Sequence, residues 1–572
     1  MKTTKVLSLL LVTAMLFGTA FFFVGCNDSE QNDYPEENDS DSNDSGYAQS
    51  PPAGADTSGS SPLFPNLPSL LPPTLPPTLP PPADDFMREF PVFEGEQIRF
   101  LTEHAQHRFA IINDGVTQID AMTRSIAVDP IDEQNLRVNH AVAARNTRVE
   151  NALNVEIIDA YRVQNGQLMA YLIPQFLNGV NDYDVIQANN FTSVGIMLGD
   201  GAGHFIDINS LSTEESFLRP QNPWWDTDRF EAMTYNSRAF FLTGHLTQSW
   251  LAGTWVSFVN SDRWAENSQI IAEITDGKTC IHMIVREGGW HLDFISELSR
   301  MVYVSLTPGD QISRNDRVGV VLHASTSLNI VVQALASASG VRYVDIDDYG
   351  QWNLLLDSPN SIAFGYANHR LHYNSSALQL SGMNDDYPLG VFAEGNALIT
   401  FNMLQMMERY LRDMEESVYI LPLPMLNAEQ MQNQGYIGFM QNSVGLFTIP
   451  ALARPNIRVI TATLELMAEL SYQYVTNAFL IDTLSGFIQP GSFLVANEML
   501  NIATNNFNVC QGDVWPNQMN AGMTGPYGFF IRNINRQRNT GVMLAENRAA
   551  WQVIIQRHAD LVNQATEDSF FQ

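Results

Sequence analysis

The chain has 572 residues, 45% of them hydrophobic, which is enough for two or more packed domains with substantial cores. Its formal net charge is −32, so its surface repels nucleic-acid phosphates and anionic lipid head groups, and nucleic acid is excluded as a partner. After Lys5 the only lysine is Lys278, and arginine carries the remaining positive charge. Adaptation to an alkaline exterior and compositional drift both account for that.

Residues 1–25 read as a secretory signal peptide: Lys2 and Lys5 form a charged start, Val6 to Val24 is nearly all apolar or small, and Gly25 precedes Cys26. The apolar run is about as long as a membrane span, but its flank is acidic where a stop-transfer helix carries basic residues. An uncleaved signal anchor is the alternative. Phe23-Val24-Gly25-Cys26 resembles the lipobox of bacterial lipoproteins, with phenylalanine where leucine is usual. The resemblance implies cleavage before Cys26, acylation of Cys26 and attachment to the extracellular face of the cell membrane.

Residues 26–96 read as a linker. From Asn27 to about Ser61 the chain has too few apolar groups to offset the entropy of ordering. Pro62 to Pro82 is a polyproline-type segment that spans roughly 65 Å when extended. A cell-wall-spanning stalk and a simple tether are the two readings, and length favours the stalk. Cys280 and Cys510 lack metal-type spacing, and a single disulfide between them is left open.

From Gln97 the pattern becomes periodic. Ile98–His104, Val155–Tyr161 and Tyr183–Asn189 read as strands. They alternate with helices over Asn139–Asn154 and Asn165–Gly179, the second expected to kink or divide at Pro174. Gly253–Trp264 carries a further strand. Helices are expected over Ser327–Gly340, Asn402–Glu416, Ile457–Phe479 and Ala545–Gln564. Strands alternating with helices argue for parallel α/β sheets, whose ligands bind beyond the carboxyl ends of the strands.

"AARNTRVENALNVEI" (Ala143–Ile157) resembles a signature near the start of extracellular solute-binding proteins of ABC importers, in a branch common among clostridia-like bacteria. "DYDVIQANN", "HFIDINSL", "NPWWD", "VREGGWHLDFISELS", "FAEGNALITF" and "ILPLPMLNAEQ" follow in the family's order, from about Gln97 to Gln564. The resemblance implies an α/β, two-lobed type II periplasmic-binding-protein fold with hinge strands. It places lobe 1 at 97–258 and 392–450, lobe 2 at 259–391 and 451–564, and a tail at 565–572. It also implies a monomer that closes on its ligand by a hinge motion and presents it to a membrane permease.

Trp224, Trp225 and Trp250 are candidate platforms for sugar rings, with Asp226 beside them to accept hydroxyl hydrogen bonds; each tryptophan is equally at home in a core. Trp255 lies in an apolar strand and reads as core. Asn189 and Asn190 follow the third strand, where cleft loops emerge, although asparagine also favours turns. By analogy "LTGHLTQSW" lines the cleft, with His245 where an acid is usual, and Thr400 and Asn402 occupy another cleft-lining position. "GDGAGH" lacks the strand–loop–helix setting of a phosphate cradle, and "HRLH" lacks a third metal ligand. "SLTPGDQISRNDRVG" (Ser305–Gly319) lacks the alternating oxygen ligands of a calcium loop. Neither a metal nor a cofactor is expected, nor an enzyme, since no nucleophile elbow or metalloprotease helix is present. The reading is a lipid-anchored binding protein that captures a small solute, a carbohydrate with a peptide as the lesser alternative, for an ABC permease. A surface glycan adhesin, or a ligand sensor docking to a membrane receptor, is the alternative.

Overall fold

The computed structural model describes residues 90–567 apart from short internal stretches, the longest within 105–135, 324–329, 381–386, 486–492 and 531–538. The expectations for the signal segment, Cys26 and the linker up to residue 89 lie outside the described residues, as does the tail beyond 567. Everything described belongs to one compact unit, Leu71–Gln572.

The first lobe is laid down in chain order by β1 (Glu96–His104), α1 (Leu136–Leu153), β2 (Val155–Gln164), α2 (Leu168–Leu177), β3 (Val185–Asn189) and α3 (Thr227–Ala232). Val138, Val142, Val149 and Leu153 form one fully buried stripe along α1, and Asn154, at φ 52°, turns the chain into β2. α2 is not divided at Pro174; the chain continues to Leu177, with Asn178 N and Val180 N closing on Pro174 O and Gln175 O. β1 pairs in parallel with β2, Ile98 opposite Ile157, and with β3, Phe100 opposite Val185.

The second lobe contains β4 (Trp255–Asn260), α4 (Leu292–Met301), β5 (Val318–His323), the hairpin β6 (Val344–Ile346) and β7 (Trp352–Leu354), β8 (Leu378–Leu380), β9 (Ala397–Met403) and β10 (Val418–Leu421). Every residue of β4, β5 and β9 is buried, as befits strands covered on both faces. α4 packs against β5 so closely that a Cβ at Gly319 would lie 2.2 Å from Ser299 Cα. Gly319→Ala is therefore expected to lower stability by about 1–3 kcal/mol, seen as a lower melting midpoint; an unchanged midpoint would mean that α4 moves aside freely.

The chain then passes through β11 (Gly445–Thr448), α5 (Ile457–Leu470), a π-helical turn over Ser471–Val475, α6 (Thr476–Ser485), α7 (Phe493–Thr504) and α8 (Thr540–Glu567). The two sheets have the orders β11-β3-β1-β2 and β8-β5-β9-β4-β10. In each, the strand beside the third parallel strand runs antiparallel and arrives from the other lobe: β11 against β3, and β4 against β9. That interleaving is the two-lobed, type II periplasmic-binding-protein arrangement that the resemblance implies.

Where the lobes exchange chain differs from expectation. The first crossing and the return run side by side as hinge segments, with Trp255 N donating to Phe439 O and Gln441 N to Gly253 O. Ala397–Leu421 therefore belongs to the second lobe: β9 lies inside its sheet, bonded to β5 and β4 on either side. α5, expected in the second lobe, packs on α1 and β1 of the first. α6, which follows α5 along the chain, also packs on α1, whereas α7 packs on β10 of the second lobe. The helix expected over Asn402–Glu416 is also corrected. Asn402 and Met403 complete β9 opposite Val256 and Trp255, and among the described residues of the stretch a helical turn is confined to Met407–Leu411. Sheet pairing outweighs the local helical period there.

Candidate interlobe site

At the carboxyl end of the first sheet stands Glu103, fully buried. Its carboxylate accepts from Gly166 N and Asn189 N, both at 2.7 Å, and from the hydroxyls of Ser193 at 2.8 Å and Thr192 at 3.1 Å. Burial pushes its pKa above the usual carboxylate value while these donors pull it back down. The carboxylate thus pins the π-helical turn Asn190–Val194 to the strand end. Asn189 spends its side chain on that turn, accepting from Phe191 N at 2.9 Å. Asn190 reaches across the lobes and donates to Asp513 O at 3.3 Å, while its own Oδ1 is buried without a partner.

Trp224 and Trp225, put forward as ring platforms, are core residues 1% and 4% exposed. Both indoles donate inward to Glu465 of α5, at 3.1 and 2.8 Å. The buried N–H groups need an acceptor, and α5 supplies one. Gly244, at φ +148°, lets the following loop approach Trp224 O, which an added Cβ would meet at 2.4 Å. Asp226 is also committed within the protein. It caps α3 by accepting from Arg229 N and takes the indole N–H of Trp250, both at 2.9 Å.

His245 is brought between Trp250 and Tyr472, with ring centroids 4.6 and 4.8 Å away, and its Nδ1 lies 2.9 Å from Thr476 Oγ1. Burial lowers its pKa from 6.5 to about 3. The unfolded chain takes up this proton near 6.5 and the folded chain only near 3. The histidine's contribution to stability is therefore complete above pH 6.5 and is lost as pH falls through that window, at roughly 1.4 kcal/mol per unit. His245→Gln is expected to shift acid unfolding to lower pH; an unmoved midpoint would assign the acid transition to other groups.

Thr400 and Asn402 are spent within the second sheet. Thr400 donates to Val321 O at 3.3 Å, and Asn402 Oδ1 accepts from Met403 N at 2.9 Å. Trp255 is buried at the hinge with its indole on Gln441 Oε1. Cys280 and Cys510 are both free, the first exposed and the second buried, so no disulfide joins them. The Ser305–Gly319 loop is organised by Asp316, whose Oδ1 takes Leu306 N and Thr307 N and whose Oδ2 takes Ser313 N.

Between α3 of the first lobe and second-lobe segments around β6, Gln434 and Asn506–Gln511 opens a cavity of about 590 Å3. That is within the size range of small-molecule sites. Asp228, Glu231 and Thr234 form one wall; Arg342, Asp345, Gln434, Asn506, Asn508 and Gln511 form the other, with Phe507 as its aromatic face. Trp250 abuts Phe507 edge-on at 5.8 Å. Behind the cavity the lobes touch directly. Gln511 donates to Ala232 O at 2.8 Å and accepts from Tyr235 Oη at 2.7 Å. The Tyr235 ring lies parallel to Trp352 at 6.0 Å.

Of the residues singled out from sequence, only Asn190, His245, Asp226 and Trp250 come to or beside the lobe interface. Glu103, Tyr235, Glu465, Phe507 and Gln511 were missed. Glu465 carried a signal, since it is an acid on the apolar face of a helix; the others carried none.

No protein-family model matches the chain, and no curated protein matches it. Solved structures similar to it include the GacH receptor of Streptomyces glaucescens GLA.O, determined unliganded and with acarbose. That structure is 11% identical over 81% of this chain and 99% of that one, with a TM-score of 0.44. An extracellular solute-binding protein from Staphylococcus aureus in complex with maltose is 10% identical over 81% and 99%, with a TM-score of 0.47. An ABC substrate-binding protein from Listeria monocytogenes in complex with cycloalternan is 10% identical over 83% and 100%, with a TM-score of 0.44.

Proposed function

We propose that the protein is the substrate-binding component of an ABC importer, capturing a small carbohydrate between its lobes and delivering it to a membrane permease. The observation that carries this reading is the cavity of about 590 Å3, lined from both lobes of a strand-exchanged pair of sheets joined by paired hinge segments. Side-chain amides of Gln434, Asn506 and Asn508 suit hydroxyl groups, and Phe507 suits the C–H face of a sugar ring. Closing on a ligand would desolvate those contacts, and no bond need be made or broken. In this reading acylated Cys26 holds the protein on the outer face of the membrane.

The test is intrinsic fluorescence and thermal shift of the full chain in detergent against mono- and oligosaccharides and short peptides. A saturable spectral change with a raised melting midpoint is expected for a saccharide, because Trp250 abuts Phe507. Phe507→Ala should weaken it by roughly tenfold, as for a lost stacking contact of about 1.4 kcal/mol. A hit with peptides alone would remove the carbohydrate assignment and leave import standing. No hit in either class would favour the adhesin or receptor-docking reading.

A further inference from the structure

The charges that face the interlobe cavity do not balance. Its first-lobe wall carries Asp228 and Glu231, and its second-lobe wall carries Asp345 against one cation, Arg342. The guanidinium of Arg342 is already paired with Asp345 three residues along the chain. Beneath α3, Arg229 is buried with its Nε 3.6 Å from Asp226, and its field also falls on Asp513. Among the described residues no cation pairs with Asp228 or Glu231. Both remain exposed at the cavity wall. Burial of part of the Asp228 carboxyl, together with the like charge of Asp226, holds it above the usual carboxylate range.

Resting on the carbohydrate-binding reading above, we infer that the cleft selects a sugar bearing protonated amines, an amino-sugar oligosaccharide. An ammonium group placed against Asp228 and Glu231 makes charge-assisted hydrogen bonds and offsets the like charge that Asp226 brings to Asp228. The sugar's hydroxyls donate to the side-chain oxygens of Asn506 and Asn508, whose NH2 groups are bonded to backbone carbonyls, and meet the amide of Gln434 on the facing wall. The same two carboxylates turn away uronic and phosphorylated sugars, because like charges brought together in a cleft cost affinity. Asp228 and Glu231 are thus specificity-determining residues, lying outside every motif that carries the family resemblance.

The experiment is titration calorimetry with the full chain in detergent at about pH 6, where a sugar amine is largely protonated. The probes are glucosamine oligosaccharides, their N-acetylated counterparts, cello-oligosaccharides of equal length, and spermidine. The free-amine series should bind roughly tenfold tighter than either neutral series, since two solvent-screened charge contacts contribute about 0.2–1 kcal/mol each. Raising salt should close that gap. Asp228→Asn with Glu231→Gln should bring the free-amine series down to the affinity of the neutral series measured on the same variant. Equal binding of charged and neutral sugars, or a preference that survives the double substitution, overturns the inference and leaves the carbohydrate reading standing. Spermidine binding without any sugar binding supports the cation site and removes the carbohydrate. Binding of none of the four overturns both.

Discussion

Glu465→Gln is expected to destabilise the first lobe by about 2–6 kcal/mol, the cost of leaving two buried donors without an acceptor. The carboxylate sits among apolar neighbours and each oxygen accepts two donors. Oε1 takes Asn222 Nδ2 at 2.6 Å and Trp224 Nε1 at 3.1 Å; Oε2 takes Trp225 Nε1 at 2.8 Å and Arg219 N at 3.1 Å. Among the described residues no cation pairs with it, and burial pushes its pKa up to about 7. Glutamine keeps one acceptor oxygen and turns an NH2 group toward two of the four donors. Each buried donor left without an acceptor costs roughly 1–3 kcal/mol. Urea unfolding at fixed pH is the measurement, with Trp224→Phe as a variant that removes a single donor and should cost less. A loss below about 1 kcal/mol for Glu465→Gln would mean that water enters and replaces the carboxylate, and the first lobe would not depend on it.

Tyr235→Ala is expected to open the lobes. Its hydroxyl donates to Gln511 Oε1 at 2.7 Å and accepts from Trp515 Nε1 at 2.5 Å, and its ring lies parallel to Trp352 at 6.0 Å with planes 13° apart. Two hydrogen bonds and one ring pair contribute roughly 2–4 kcal/mol to closure. That is enough to turn a mostly closed population into a mostly open one. Tyr235→Phe keeps the ring pair and leaves Trp515 Nε1 on Gln511 Oε1 at 3.1 Å, so its effect should be smaller. Distances between probes at Leu177 of the first lobe and Leu494 of the second, both exposed, report the motion. An Ala variant whose distance distribution matches the wild type would show that these contacts do not hold the lobes together.

Much of the first lobe was legible from local pattern. The buried stripe of α1, the strands on either side of it and the polar pair Asn189-Asn190 all follow from periods of 3.6 and 2 and from turn-forming residues. The tryptophans were misread for a reason that periodicity does not see. Trp224 and Glu465 are 241 residues apart in the chain, so the acceptor that permits two indoles to be buried was invisible beside "NPWWD". The stretch after Asn402 failed in the same way. Its spacing suits a helix, but strand pairing with β4 decided Asn402 and Met403.

By itself the sequence determined the class of fold, because alternating strands and helices admit few packings, and it determined the strongly acidic balance of the chain. Only the tertiary structure decided where the chain passes between lobes, since sheet partners are chosen by hydrogen bonds made across hundreds of residues. It alone turned the tryptophans inward and brought Gln511 beneath Tyr235. It also set Asp228 and Glu231 opposite Asn506 and Asn508 across one cavity. A binding surface made from both lobes exists only once the lobes meet, and no local pattern in the chain encodes that meeting.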